Sequence, residues 1–166
     1  MKSNRGLAGA IECRLQPNAS SVFSGIVHPG DLFDVSICNP PFHASAAEAR
    51  KGTQRKWKNL GRQKSGSRVL NFGGLSAELW CRGGESAFVR AMIDQSAAMP
   101  STCLWFTTLI AKSEHLAAVH RALKAAHAAE VRVIGMSQGQ KVSRIVAWTF
   151  HSPEQQRQWR LTRWRA

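Results

Sequence analysis

Acidic residues are scarce in this sequence. The 166 residues include 10 Asp and Glu against 23 Lys and Arg, which gives a formal net charge of +13 and an isoelectric point near 10.9. This excess of positive charge favours a polyanionic partner, with nucleic acid as the first candidate. Hydrophobic residues make up 43% of the chain, enough for one domain with a buried core, and the 20% charged fraction argues against disorder.

Long apolar runs are also missing. No stretch approaches the ~20 apolar residues that a membrane span needs, and the N-terminal residues lack the apolar core of a signal peptide. We therefore expect a cytoplasmic protein with no membrane partner. The four cysteines form no C-x-x-C pair, which favours reduced, buried thiols over disulfides or zinc ligands. Because His115, His120 and His127 have no Cys or carboxylate neighbours at ligand spacing, we expect a solvated helix surface and no metal site.

Apolar periodicity predicts alternating strands and helices. We expect one helix over residues 85–99 and a second over residues 113–130. The expected strands cover residues 11–15, 33–38, 103–110, 131–136 and 145–150. The first three are apolar enough for a buried parallel sheet, and the last two are close enough to form an antiparallel hairpin. The predicted fold is an α/β sheet that is parallel except for a final antiparallel strand at its edge.

Positive charge is concentrated in two segments. Residues 49–77 contain no acidic residue and form a basic loop around Trp57. The cations of this basic loop are Arg50, Lys51, Arg55, Lys56, Lys58, Arg62, Lys64 and Arg68. Arginine suits phosphates and tryptophan suits bases, so we predict that the basic loop contacts nucleic acid. In the C-terminal tail, residues 153–166, arginines alternate with Trp159 and Trp164. There, nucleic-acid contact and packing of the tryptophans on the core are equally supported.

The segment SICNPPFHAS, residues 36–45, ends a predicted strand abruptly. Pro40 and Pro41 lack backbone N–H groups and stiffen the loop, which leaves Asn39 at the carboxyl end of a strand, where open α/β sheets bind ligands. The Asn39 side-chain oxygen and the Pro40 carbonyl can accept hydrogen bonds from the exocyclic amine of a nucleobase and expose its lone pair to attack. Phe42 can stack on the base. The alternative, a simple turn with a buried phenylalanine, is less consistent with the strand and the charge.

Six segments, in order along the chain, resemble the ribosomal RNA large subunit methyltransferase F family. They are DVSICNPPFHASAAEAR at 34–50, NLG at 59–61, NFGG at 71–74, ELWCRGGE at 78–85, LWFTTLIAK at 104–112 and QGQKVSRIVAWTF at 138–150. The resemblance implies methyl transfer from S-adenosylmethionine to N6 of one adenine, with 23S rRNA or the assembling large ribosomal subunit as partner. It implies that Asn39 and Pro40 bind the target amine and that Phe42 stacks on adenine. It also implies a seven-stranded, Rossmann-like class I methyltransferase sheet.

The chain departs from this family at the cofactor site. It contains no G-x-G, and Gly6 and Gly9 precede the first expected strand instead of following one. The resemblance therefore implies a C-terminal portion, with residues 1–152 as a partial domain that lacks its first strands and residues 153–166 as a basic tail. Of the residues that the resemblance implies for cofactor binding, the glycine-rich turn is absent and Asn39 is present. We expect an unpaired edge on the strand at residues 33–38 and weak or absent cofactor binding.

Two other functions remain open. A methyltransferase acting on a protein glutamine amide would present the same amine to an Asn-Pro-Pro loop, and a non-catalytic RNA-binding fragment would fit the missing glycine turn. Lys141 and Arg144, before the final strand, are candidates for phosphate contact or for a solvated hairpin tip. The basic loop and Phe42 favour RNA as the substrate.

Overall fold

The computed structural model describes Gly6 and residues 9–48, 79–138 and 141–164. Its strands are β1 (Phe33–Cys38), β2 (Cys103–Ile110), β3 (Glu130–Gln138) and β4 (Lys141–Thr149). Its helices are α1 (Gly84–Ala97), α2 (Leu116–Ala125) and α3 (Pro153–Arg163), and a short 3-10 turn, Ser113–His115, leads into α2. None of the helices in these ranges is both long enough and apolar enough to span a membrane.

The four strands form one mixed sheet in the order β1-β2-β4-β3. β1 and β2 are parallel, and β4 is antiparallel to both β2 and β3. This arrangement confirms the predicted α/β sheet, the hairpin and the reversed last strand. The expected place of β4 at the sheet edge is wrong, because β4 lies between β2 and β3. Its apolar segment Ile145–Trp148 suits the part of β4 that has neighbours on both sides.

The hydrophobic core lies between one face of the sheet and helices α1 and α2. Buried residues of α1, β2, α2 and β4 form a single cluster that includes Val89, Met92, Ile93, Phe106, Ile110, Val119, Leu123, Val146 and Trp148. The rings of Phe106 and Trp148 stack with centroids 5.9 Å apart, and Trp148 Nε1 donates to Ser96 Oγ at 3.0 Å. This bond satisfies the buried indole N–H, so the largest core side chain is held in one orientation.

Residues 11–15 do not form the predicted strand. This segment has no strand neighbour within the described ranges, and an unpaired strand leaves its backbone hydrogen bonds unsatisfied. Arg14 instead ion-pairs with Asp31 and Glu12 and donates to the Ile26 carbonyl at 2.8 Å. The alternation of apolar residues in this segment was therefore a misleading signal.

Helix α2 is shorter than predicted. It ends at Ala125, because His127 adopts a left-handed backbone conformation with φ 57°. The Ala128 N–H donates to the Leu123 carbonyl and the His127 N–H to the Lys124 carbonyl, both at 3.1 Å. This pair of bonds is a Schellman cap, which ends helices and is usually formed by glycine.

No disulfide joins the four cysteines, all of which lie in the described ranges, and they differ in burial. Cys103 is buried, Cys38 and Cys81 are half-buried, and Cys13 is exposed, which the sequence did not indicate. Burial raises the pKa of Cys103 to about 11. This thiol therefore stays neutral at physiological pH.

Candidate active site at the carboxyl end of β1

Asn39 follows the last residue of β1 and faces solvent. Cys38 is paired with Thr108 of β2, and Asn39 is exposed at the carboxyl edge of the two parallel strands. Within the described ranges, its side-chain amide has no hydrogen-bond partner. The next two residues, Pro40 and Pro41, are both buried. Their rings fix the loop on the protein body, while the amide between strand and prolines stays available for a ligand.

After the prolines, Phe42 and His43 continue the loop beside residues 79–81. Phe42 is 38% exposed, so part of its ring is open to solvent. His43 forms a parallel bridge with Trp80, in which the His43 N–H donates to the Leu79 carbonyl at 3.3 Å and the Cys81 N–H donates to the His43 carbonyl at 3.1 Å. Backbone bonds on both sides of Trp80 thus hold the loop in place just beyond the exposed ring.

The glycine pair of the ELWCRGGE segment lets helix α1 approach this loop. Gly83 and Gly84 have φ angles of 82° and 65°, which L side chains rarely adopt. A Cβ on Gly84 would lie 3.4 Å from the Ala44 backbone nitrogen, and a Cβ on Gly83 would lie 2.6 Å from the Ala87 Cβ. Gly83 is the N-cap of α1 and Gly84 its first residue, so the pair both begins the helix and brings its N-terminus against Ala44 of the candidate site.

Glu85 ties the same helix terminus to the end of β2. Its carboxylate is 2% exposed, accepts from the Ala111 N–H at 2.6 Å and lies 2.9 Å from His115 Nδ1. A carboxylate in the first turn of a helix is also favoured by the helix dipole. Sequence reasoning missed Glu85, and the available signal was an acidic residue directly after a glycine pair. Glu85 therefore fixes the position of α1, and through Gly84 that of the loop after Asn39.

The groups nearest to Asn39 supply acceptors and no ionised nucleophile. Burial raises the pKa of the Cys38 thiol, so this neighbour is protonated at neutral pH. The amide of Asn39 and the carbonyl of Pro40 are neutral dipoles. The arrangement can bind and orient a donor such as an amine, but the chain has no G-x-G turn to hold S-adenosylmethionine. A cavity of about 290 Å³ lies by Phe33 and Val35, towards the opposite end of β1 from Asn39.

The β3–β4 hairpin extends beyond the sheet on the side of Asn39. The last pair between β2 and β4 is Ile110 with Arg144, whereas pairing within the hairpin continues to Gln138 and Lys141. Because β1 and β2 run in the same direction, the outer part of this hairpin overhangs the edge where Asn39 lies. Arg144 is half-buried at the base of the overhang, and Lys141 lies at its tip. These two predicted RNA contacts are therefore on the same side of the sheet as the Asn-Pro-Pro loop.

The basic loop lies outside the described residues, and its predicted RNA contacts remain predictions. This applies to Arg50, Lys51, Arg55, Lys56, Trp57, Lys58, Arg62 and Lys64. It also applies to the NFGG segment at 71–74. The described residues on either side in the sequence, Glu48 and Leu79, both contact His43: Glu48 Oε1 lies 3.9 Å from His43 Nδ1, and the Leu79 carbonyl accepts from the His43 N–H.

The C-terminal residues form helix α3, which is anchored to β1. Asp34 accepts hydrogen bonds from Trp159 Nε1 at 2.7 Å, Trp164 Nε1 at 2.9 Å and Arg163 Nε at 3.2 Å. The bond from Trp159, followed by those from Arg163 and Trp164, lowers the pKa of Asp34 to about 2. Trp159 is buried, which supports the packing interpretation of the tail for that residue, whereas Trp164 and Arg160 are exposed. Asp34 was not a predicted site residue.

Comparisons with known proteins identify the family to which the chain belongs. Residues 1–152 match the sequence profile of a family described as RNA methyltransferase. Two relatives, each called ribosomal RNA large subunit methyltransferase F, come from Photobacterium profundum and Methylobacillus flagellatus. The first is 50% identical over 100% of this chain and 54% of its own length, and the second is 52% identical over 98% and 53%. The chain thus spans about half the length of the curated relatives it matches.

Solved structures show the same fold. The hMettl16 catalytic domain in complex with the MAT2A 3'UTR hairpin 1 superposes with a TM-score of 0.61 and 26% identity, over 80% of this chain and 44% of that one. A human methyltransferase 10 domain containing protein superposes with a TM-score of 0.54 and 19% identity, over 82% of this chain and 46% of that one. The sheet is accordingly that of a class I methyltransferase, and with the profile match over residues 1–152 the chain belongs to the RNA methyltransferase family.

Proposed function

We propose that this chain provides the target-base site of a 23S rRNA adenine-N6 methyltransferase that uses S-adenosylmethionine. The observation that carries the proposal is the exposed Asn39 amide, which has no hydrogen-bond partner among the described residues, is held at a strand end by two buried prolines and is followed by the half-exposed ring of Phe42. Family membership and the names of the Photobacterium and Methylobacillus relatives support rRNA as the substrate. The assembling large ribosomal subunit, in the cytoplasm, is the form of the substrate that we propose.

The chemistry required of this site is amine activation. The lone pair of the adenine N6 is delocalised into the ring, so the nitrogen is a poor nucleophile. If Asn39 Oδ1 and the Pro40 carbonyl each accept one N6 hydrogen, the nitrogen becomes more tetrahedral and its lone pair is available for the methyl group. The rigid proline backbone reduces the ordering cost of this geometry. S-adenosylmethionine supplies the electrophilic methyl group when it is bound.

Phe42 would hold the base while the amine is aligned. Base stacking on an aromatic ring contributes ~1–3 kcal/mol per base and does not depend on the sequence of the nucleic acid. An adenine extruded from its helix could stack on the open part of the Phe42 ring, with its amine directed towards Asn39. The two acceptors would then select a base with an exocyclic amine, which stacking does not distinguish.

Binding of the RNA backbone is assigned to basic residues outside this loop. Arg144 and Lys141, on the overhanging hairpin, lie at the same edge as Asn39. The basic loop lies between Glu48 and Leu79 in the sequence, and both of these residues contact His43, next to Phe42. Phosphate contacts of this kind position an RNA without reading its sequence and weaken steeply with salt.

A binding experiment with two matched RNAs tests the role of Asn39. One short single strand carries a central adenosine, and the other carries N6,N6-dimethyladenosine, which has no N6 hydrogens. We expect the chain to bind the first strand several-fold more tightly and Asn39→Ala to reduce this difference, because the variant loses one of the two acceptors for the amine hydrogens and keeps the Pro40 carbonyl. Fluorescence anisotropy measures both affinities.

Equal binding of the two strands by the wild-type chain would remove Asn39 from amine recognition. Methyl transfer distinguishes catalysis from RNA binding alone. With 23S rRNA and a high concentration of S-adenosylmethionine, mass spectrometry should detect N6-methyladenosine above the level given by Asn39→Ala. Methylation of a protein glutamine instead of rRNA would support the glutamine-amide alternative.

A further inference from the structure

Helix α3 presents two arginines and a tryptophan to solvent along one side. Arg157, Arg160 and Trp164 follow one another at steps of three and four residues, which places them in a row on the helix surface. All three are exposed, whereas Trp159 is buried on the side that packs on the rest of the protein. This arginine–tryptophan stripe is about 10 Å long, because a helix rises 1.5 Å per residue. It lies beyond residues 1–152, which match the family profile, so family membership assigns it no role.

Trp164 is exposed and yet held in place. Its Nε1 donates to Asp34 Oδ1 at 2.9 Å, and the same carboxylate also accepts from Trp159 and Arg163. The residue nevertheless remains 54% exposed. An aromatic side chain that is already fixed in this way loses little freedom when a base stacks on it, so less of the binding free energy is spent on ordering.

The two arginines of the stripe are not neutralised by the protein. Among the described residues, no carboxylate pairs with Arg157 or Arg160. Arg163, in contrast, lies 3.2 Å from Asp34 Oδ1. The helix dipole accounts for cations in the last turn, Arg160 and Arg163, but not for Arg157 in the middle of the helix. The stripe therefore places two uncompensated positive charges beside an exposed indole ring.

Helix α3 is well formed without a ligand. A capping box begins it: Ser152 Oγ accepts from the Gln155 N–H at 3.3 Å, and Gln155 Oε1 accepts from the Ser152 N–H at 2.7 Å. The Trp159 ring packs edge-on against His151, with ring centroids 5.2 Å apart. Both contacts fix the helix on the sheet, so a ligand would meet a rigid row of side chains.

We propose that the stripe binds an unpaired segment of RNA, in which Arg157 and Arg160 contact phosphates and a base stacks on Trp164. Guanidinium groups match the oxygens of phosphate, and stacking on an indole ring accepts any base. An acidic protein would use the arginines but has no need of the ring, so RNA fits the whole stripe better.

The stripe is separate from the candidate active site. Asp34, to which Trp164 is bonded, precedes Asn39 by about 17 Å of extended strand. The segment bound at α3 is therefore not the nucleotide that enters the site at Asn39, but a second part of the same RNA. The proposal rests on the proposed function only in that RNA is the partner.

Binding of a labelled oligouridine, followed by fluorescence anisotropy at several salt concentrations, tests the proposal. Uracil has no exocyclic amine, so this probe does not use the acceptors at Asn39. The double variant Arg157→Gln, Arg160→Gln should flatten the slope of log affinity against log salt by about 1.4, which is about 0.7 for each lost phosphate contact. Trp164→Ala should weaken binding at least about fivefold, whereas Trp164→Phe keeps an aromatic ring and should retain most of the affinity.

The double variant Arg121→Gln, Lys124→Gln on α2 is the matched control. It removes two exposed cations at the same spacing, and the salt dependence should stay as in the wild-type chain. Because all the substituted residues are exposed, the variants should fold normally, which circular dichroism checks.

Four results would overturn the proposal. They are no binding of oligouridine by the wild-type chain, equal changes in the two double variants, equal losses for Trp164→Ala and Trp164→Phe, and tighter binding of a polyglutamate peptide than of oligouridine at α3. The last result would make the stripe a site for an acidic protein. Asn39→Ala should bind oligouridine like the wild-type chain, so failure at α3 would leave the proposed role of Asn39 standing.

Discussion

Replacement of Glu85 by alanine should destabilise the protein strongly. The carboxylate is 2% exposed and accepts from the Ala111 N–H at 2.6 Å while it contacts His115 Nδ1 at 2.9 Å. Truncation leaves these half-buried donors without that acceptor, at up to about 1–3 kcal/mol for each. With the lost packing of the side chain, we expect the free energy of unfolding to fall by about 3–5 kcal/mol. Such a loss is a large part of the ~5–15 kcal/mol that holds a domain together.

Urea denaturation followed by tryptophan fluorescence measures this loss. Glu85→Gln keeps an oxygen acceptor for Ala111 and should lose about half as much. Glu114→Ala is the control, because Glu114 lies beside the same histidine with its side chain 71% exposed, and it should stay within about 0.5 kcal/mol of the wild-type chain. If Glu85→Ala unfolds at the same urea concentration as Glu114→Ala, the assignment of Glu85 as the link between α1 and β2 is wrong.

Three further predictions concern pH, cofactor and RNA. The folded-state pKa of Asp34 is lowered to about 2, so its contribution to stability is present above its unfolded pKa near 3.8 and is lost as pH falls towards 2. Solvent screening at this partly exposed site limits the contribution to about 1 kcal/mol. Acid denaturation of Asp34→Asn should lack this loss of stability. Isothermal titration should show weak or no binding of S-adenosylmethionine to the chain alone, since it has no G-x-G turn, and micromolar affinity would contradict this. Charge reversal at three cations of the basic loop should weaken rRNA binding and flatten its salt dependence, and unchanged affinity would make the loop a solvated surface. These cations are Arg55, Lys56 and Lys58.

Much of the fold was accessible from local sequence patterns. The strands at residues 33–38 and 103–110 agree with β1 and β2, because buried parallel strands have continuous or alternating apolar residues that stand out from their surroundings. The hairpin was predicted from two apolar segments separated by a short turn. The place of β4 inside the sheet was not, because strand order depends on contacts between distant segments.

The candidate site was only partly predictable for the same reason. Asn39 and its neighbours were identified because the asparagine, the two prolines and the phenylalanine are contiguous and follow an apolar strand. Glu85 acts on Ala111, 26 residues away, and Asp34 binds Trp159, 125 residues away. No local pattern marks such pairs, although each fixes an element that supports the site. Residues 11–15 show the reverse case, in which alternation is present and no strand forms.

The overhanging β3–β4 hairpin gives the carboxyl edge two regions of unequal stiffness. Ile145 and Trp148 pair with residues of both β2 and β3, whereas Ser143 and Val142 pair with β3 alone. Amide protons near the hairpin tip should therefore exchange with solvent through small local openings, whereas those of Ile145 and Trp148 should exchange only when the whole domain unfolds. A surface that flexes beside a loop that does not could adjust to the shape of a nucleic acid without disturbing the atoms that hold the base.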